Sequence, residues 1–188
     1  RVIINKRSIQ EEKSMNKILA DMHTHTIASG HAYATLTEMC KEAANKGLEI
    51  YGITEHSSGI PGTCADIYFQ NLRVIPRDLF GLDLRLGAEI NIIDYNGTLD
   101  LGQEYIDRLD FVIAGIHSVC YKFGSKEENT AAIINAIKNP NVNIISHPDD
   151  GRCPLDYEAL VQAAKEYHVL LEINNNALRD KNRKNVKE

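Results

Sequence analysis

Short apolar runs bounded by turn residues recur along the chain as ILADMH, LEIYGIT, LRLGAEINI, DFVIAGIH, VNIISH and VLLEINN. Runs this continuous predict strands buried on both faces, as in a parallel sheet. The stretches between them space apolar residues three and four apart, the period of a helix. TLTEMCKEAANKG has Thr35 as its N-cap, Glu38 at the capping-box position and Gly47 as its C-terminal stop. Segments 127–138 and 155–167 repeat that plan, and Asn139-Pro140 ends the first of the two. Asn96-Gly97, between INIIDY and TLDL, is a type I′ hairpin signal that marks an antiparallel excursion. The rest alternates strand and helix, so the fold class is α/β: an open doubly wound sheet or a closed barrel.

Metal-ligating residue types sit at the ends of these strands. His23 and His25 close ADMHTH, His56 closes GITEH, His117 closes IAGIH and His147 closes IISH, with His31 in the loop after the first. Glu89, in LGAEI, takes the equivalent place in the run that lacks a histidine. From His25 through His56, Glu89 and His117 to His147 the intervals are 31, 33, 28 and 30 residues, one strand plus one helix each. Ligands therefore recur once per βα unit. Donors from successive strands must meet within a few ångströms, which a barrel mouth allows, whereas an open sheet spreads strand ends ~5 Å apart in a row.

The chemistry of the set is that of a zinc, manganese or iron centre. His23 and His25 alternate along a strand and project to one face as a two-point pincer. Asp21 shares that face and could orient an imidazole by accepting its N–H. A glutamate inside an apolar strand is costly unless paired or bound to a cation. For Glu89 the plain reading is an ion pair with Arg85 or Arg73, and the functional one is a carboxylate bridging two ions. His168, at the end of a helix, belongs to the opposite face. Cys40, Cys64, Cys120 and Cys153 are irregularly spaced and read as reduced thiols; Cys120 and Cys153 follow site histidines closely enough to lie near the mouth.

Composition narrows the partners. With 188 residues, 43% of them hydrophobic, and a formal charge of −5, the chain can bury a core and has no basic footprint for nucleic acid or an anionic membrane. No run approaches the ~20 apolar residues of a membrane span, and no signal-peptide pattern opens the chain, so a cytoplasmic location is expected. Residues 1–14 have no link to the periodic pattern and read as an N-terminal extension, leaving residues 15–188 as one domain.

DMHTHTIASGHAYATL, GITEHSSG, GAEINI, IAGIHS, IISHP and LEINN, in that order and spacing, resemble the PHP (polymerase and histidinol phosphatase) superfamily, most closely its stand-alone, YcdX-like phosphatases. The resemblance covers about residues 17–178. It implies a distorted (β/α)7 barrel holding up to three divalent ions, usually zinc, with manganese or iron in some relatives. It assigns His23, His25 and Glu89 to a first ion, Glu89, His117 and His147 to a second, and His31 and His56 to a third. A final Asp-x-His motif after a seventh strand has no counterpart here, so the domain is expected to be C-terminally incomplete after about six βα units. The two sheet edges left over would need cover from a further segment or from another copy in a homo-oligomer.

The function expected is hydrolysis of a phosphomonoester on a phosphorylated small molecule by water activated at the metal centre, with Glu89, His117 and His147 as the catalytic core. Arg152 is a candidate phosphate contact. Three alternatives stay open: a PHP-type nuclease or phosphodiesterase, another barrel metallohydrolase acting on C–N bonds, and a metal-binding domain left inactive by the missing motif.

Overall fold

A computed structural model describes residues 18–174. The 1–14 extension and the lysine-rich segment before Glu188 lie outside these residues. Six parallel strands run in the order of the sequence: β1 (Ala20–Asp21), β2 (Ile50–His56), β3 (Asp83–Asn91), β4 (Phe111–Gly115), β5 (Ile144–Ile145) and β6 (Leu170–Leu171). Helices α1 (Leu36–Asn45), α2 (Ile67–Asn71), α3 (Gln103–Ile106), α4 (Lys126–Ile137) and α5 (Tyr157–Glu166) fill the crossovers. The starts of the longer helices follow from their caps. Thr35 and Ser125 each complete a capping box, with Glu38 and Glu128 respectively, and Asp156 accepts from Ala159 N–H, which starts α5 two residues later than its apolar pattern suggests. Each such cap is worth about 1 kcal/mol.

A flat sheet of this order would set its outer strands five steps of ~4.8 Å apart, about 24 Å. Instead, Glu172 just beyond β6 accepts a hydrogen bond from the ring of His23 just beyond β1, at 2.9 Å. The sheet is therefore curled into most of a barrel whose two edge strands approach each other at the C-terminal mouth. Among the described residues β1 and β6 pair on one side only.

The expectation of strands buried on both faces holds for most of β2, β3 and β4, but the two faces of β3 differ in character. Leu84, Leu86, Ala88, Ile90 and Ile92 are fully buried on the helix side. The alternate positions face the concave side, with Asp83 and Arg85 exposed at the lower end and Glu89 and Asn91 buried at the mouth. The curl separates a dry outer layer from a polar interior, so alternation returns even in a parallel strand. The hairpin prediction needs a smaller correction. Gly97 N–H bonds Asp94 C=O and Gly97 has φ 78°, but Asn96 is not left-handed, so the turn is not type I′. The Asp94 carboxylate accepts from the N–H groups of Asn96 and Thr98, which favours this alternative, and a single antiparallel bridge joins Ile92 to Leu99.

Candidate metal centre

Parallel register sets the depth of the site. His56 and Glu89 are direct neighbours across β2 and β3, both on the concave face. Beyond β1 the chain stays pinned to β2, since Thr54 N–H donates to Thr24 C=O at 2.9 Å, and His23 and His25 flank that contact on the same face. His117 and His147 each lie two residues past their strands, β4 and β5. At Gly115 an added Cβ would overlap Ser146 Oγ and touch Glu89 Oε1 at 3.4 Å, so any larger residue here must displace the Ser146 hydroxyl where β4 and β5 close on the carboxylate.

Glu89, 1% exposed, is the hub. Its Oε2 lies 3.0 Å from His23 Nε2, 3.2 Å from His25 Nε2 and 3.1 Å from His56 Nδ1. Its Oε1 lies 2.9 Å from His147 Nε2 and 3.2 Å from His117 Nε2. The ring nitrogens also face one another, His23 and His25 Nε2 at 3.2 Å and His117 and His147 Nε2 at 3.2 Å. Three groups of possible ligands have atoms within 4.8 Å of one another: His23, His25 and Glu89; His56, Glu89 and His117; and His25, His31 and His56. His31 is exposed at the rim and packs edge-on against His25.

Which nitrogen of each ring carries the proton follows from its outer partner. Ser29 O–H donates to the Glu55 carboxylate at 2.5 Å, so Ser29 Oγ accepts from His25 Nδ1 at 2.9 Å and from His56 N–H at 3.2 Å. Asn91 must turn its NH2 to the Asp100 carboxylate, 2.7 Å away, so its Oδ1 accepts from His117 Nδ1 at 2.7 Å. Glu172 accepts from His23 Nδ1. With their Nδ1 atoms engaged in this way, His23, His25 and His117 turn Nε2 toward Glu89. Nitrogens and a carboxylate this close require protons or cations among them, since bare lone pairs would repel.

In the metal-free chain protons take part of that role. Burial alone would lower His23, yet its hydrogen bonds to Glu172 and Glu89 push it up to about 10. Burial would raise Glu89, but bonds from His117, His147 and His23 hold it well below the usual carboxylate range. Burial dominates at His56 and takes it down to about 3, despite the Glu89 charge. His56 Nδ1 is thus a buried, neutral ring nitrogen with no hydrogen bond, 3.1 Å from a carboxylate oxygen. That orphaned atom fits a divalent cation, as does the mixed imidazole and carboxylate donor set.

The PHP domain matches residues 21–178. The chain belongs to the PHP domain family. A protein named "Probable phosphatase" from Acetivibrio thermocellus is 49% identical over 161 residues, covering 86% of this chain and 67% of the relative. Another of the same name, from Caldicellulosiruptor saccharolyticus, is 49% identical over 170 residues, covering 89% and 71%. This PHP chain thus spans about two thirds of the length of these relatives. The histidinol phosphate phosphatase of Lactococcus lactis, crystallised with zinc, L-histidinol and phosphate, shares the fold with a TM-score of 0.58 at 18% identity, covering 89% of this chain and 77% of that one.

Some sequence expectations change in this PHP chain and others hold. Asp21 accepts the backbone N–H of His23 at 3.3 Å, and the imidazole N–H goes to Glu172. Neither Arg85 nor Arg73 reaches Glu89; Arg85 pairs with Asp83 at 2.7 Å. Arg152 is turned onto Asp150, with Nη2 2.5 Å from Oδ2, rather than toward the histidines. No cysteine joins a ligand group among the described residues. His168 is exposed after α5, at the end of β6 away from the mouth. The outer partners Ser29, Glu55, Asn91, Asp100 and Glu172 were missed. The one sequence signal for them was burial-prone polar residues inside or just beyond apolar strands, as in GITE, AEIN and LLEI.

Proposed function

We propose that this domain is a metal-dependent phosphatase that hydrolyses phosphomonoesters. Glu89 carries the reading. Its two oxygens serve different imidazoles, Oε2 facing His23, His25 and His56 and Oε1 facing His117 and His147, which is the geometry of a carboxylate shared between two ions. The ligand sets proposed are His23, His25 and Glu89 for one ion, Glu89, His117 and His147 for a second, and His31 and His56 beside His25 for a third at the rim. Zinc suits the donor set, and manganese or iron suits it too. The phosphatase names of the relatives support the same chemistry.

Divalent ions, when bound, place positive charge against phosphate oxygens and acidify water for attack on phosphorus. The chain's own contribution is to hold the donors in register. Ser29 and Glu55 orient His25, Asn91 and Asp100 orient His117, and the β2–β3 register holds His56 level with Glu89. His31 lies exposed at the rim of the mouth. Zinc and manganese content by mass spectrometry, with hydrolysis of p-nitrophenyl phosphate and of a bis-phosphodiester, tests the proposal. Metal-loaded chain that cleaves neither ester refutes it, and preference for the diester would make it a phosphodiesterase. His117→Ala should lower both metal content and rate; if both stay unchanged, the ligand assignment is wrong.

A further inference from the structure

Glu172 touches both ends of the curled sheet. Its Oε1 accepts from His23 Nδ1 at 2.9 Å, beyond the first strand, and from Asn174 Nδ2 at 3.2 Å. Its Oε2 accepts the backbone N–H of His147 at 2.7 Å, beyond the fifth. Its own backbone N–H is fastened to Ile145 C=O at 3.0 Å, so the carboxylate has a fixed base. His147 has φ 31°, a left-handed conformation that non-glycine residues adopt only when surrounding contacts hold it. One carboxylate thus fixes the ring orientation of a donor in one proposed ligand set and the backbone of a donor in the other.

Resting on the metal-centre reading above, we propose that Glu172 is a positioning residue that couples the His23 and His147 halves of the centre. The chemistry of the pairing makes the claim specific. All three donors to Glu172 are N–H groups, and only a carboxylate offers an acceptor oxygen on each side. A glutamine at 172 has a single oxygen. The His147 amide cannot turn, so that oxygen goes to it, and the glutamine NH2 then confronts His23 Nδ1 and the Asn174 NH2. The His23 ring can satisfy that NH2 only by carrying its proton on Nε2, the nitrogen that faces Glu89 and His25 and that a cation would need.

Zinc affinity of the full chain, measured by competition with a chromophoric chelator, tests this in a cycle of wild type, Glu172→Gln, His23→Ala and the double variant. We expect Glu172→Gln to weaken zinc roughly 10- to 100-fold. On the His23→Ala background the same change should cost much less, because its partner ring is gone. A His23 Nδ1–H signal protected from exchange should be seen by NMR in the zinc-loaded wild type and lost in Glu172→Gln. Additive losses in the cycle, or zinc affinity within twofold of wild type in Glu172→Gln, overturn the proposal. If Glu172→Gln does not fold, the NMR signal decides, since a zinc-loaded wild type without a protected His23 Nδ1–H also overturns it. A wild-type chain that binds no zinc would instead remove the metal-centre reading.

Discussion

Replacing Asp100 with asparagine should disable His117 as a ligand without touching the histidine. The Asp100 carboxylate accepts four hydrogen bonds: from Ser57 O–H at 2.5 Å and Asn91 N–H at 2.9 Å on Oδ1, and from Asn91 Nδ2 at 2.7 Å and Gly59 N–H at 3.1 Å on Oδ2. An amide at 100 has one oxygen for four donors. The Asn91 backbone cannot turn, so the oxygen stays on that side and the new NH2 faces the Asn91 side chain. Asn91 relieves the clash by turning over, which puts its own NH2 against His117 Nδ1. His117 must then carry its proton on Nε2, 3.2 Å from both Glu89 Oε1 and His147 Nε2, in the space a cation would take.

The magnitudes separate two effects. Gly59 is exposed, so water can replace its lost partner, and the fold loses about 1.5–3 kcal/mol, the worth of one charged hydrogen bond. Zinc affinity should fall roughly 10- to 100-fold, or about 1.4–2.7 kcal/mol. Chelator competition reads the affinity, and thermal unfolding of the metal-stripped chain reads the fold. Ser57→Ala removes one bond to Asp100 and an acceptor of Asn91 N–H and Nδ2, but leaves the Asp100 carboxylate to hold the Asn91 NH2, so it should destabilise the chain with a smaller loss of zinc. Asp100→Asn protein that melts lower but binds zinc within twofold of wild type would refute the reasoning, because the network would then be structural alone.

Ser29→Ala strips the acceptor from His25 Nδ1 and His56 N–H and one donor from buried Glu55, so zinc affinity should again drop at least tenfold, measured by the same competition. Gly115→Ala drives a methyl into Ser146 and toward Glu89, and should cost about 1–3 kcal/mol in urea unfolding together with part of the metal content; a stability unchanged within error would show that β4 and β5 can separate. The metal-stripped chain should be most stable near pH 6.5, the ordinary value for histidine. His23, raised to about 10, contributes stability that is complete below pH 6.5 and is lost as pH rises toward 10. His56, lowered to about 3, binds its proton more readily in the unfolded chain, so stability falls as pH drops from 6.5 toward 3, and the depressed Glu89 and Glu172 add to that loss below about 4.5. Urea midpoints across pH 4–9 check this, and a midpoint still climbing at pH 9 would contradict the His23 contribution.

The gathering of these histidines around Glu89 was legible because their spacing is a property of the chain: one strand plus one helix sets the interval, and parallel register then brings each strand end to the same depth. The helix start at Thr35 was legible for a similar reason, since a capping box is complete within four residues. The partners that orient the rings were not. His23 and Glu172 are 149 residues apart and His117 and Asn91 are 26 apart, and neither pair lies at a period or motif that marks contact. Asp21 looked the better partner for His23 because it is close in sequence and on the same face, but it points along its own strand to a backbone N–H, while Glu172 arrives from across the barrel.

By itself the sequence determined the order of strands and helices, the donors available and the mouth at which they gather, because hydrophobic period, caps and interval are local quantities. Only the tertiary structure decided which nitrogen of each imidazole turns to Glu89, which imidazoles face each Glu89 oxygen, and that the outermost strands meet through Glu172. Those depend on the curl of the sheet, which converts a row of strand ends about 24 Å wide into a ring closed by one hydrogen bond.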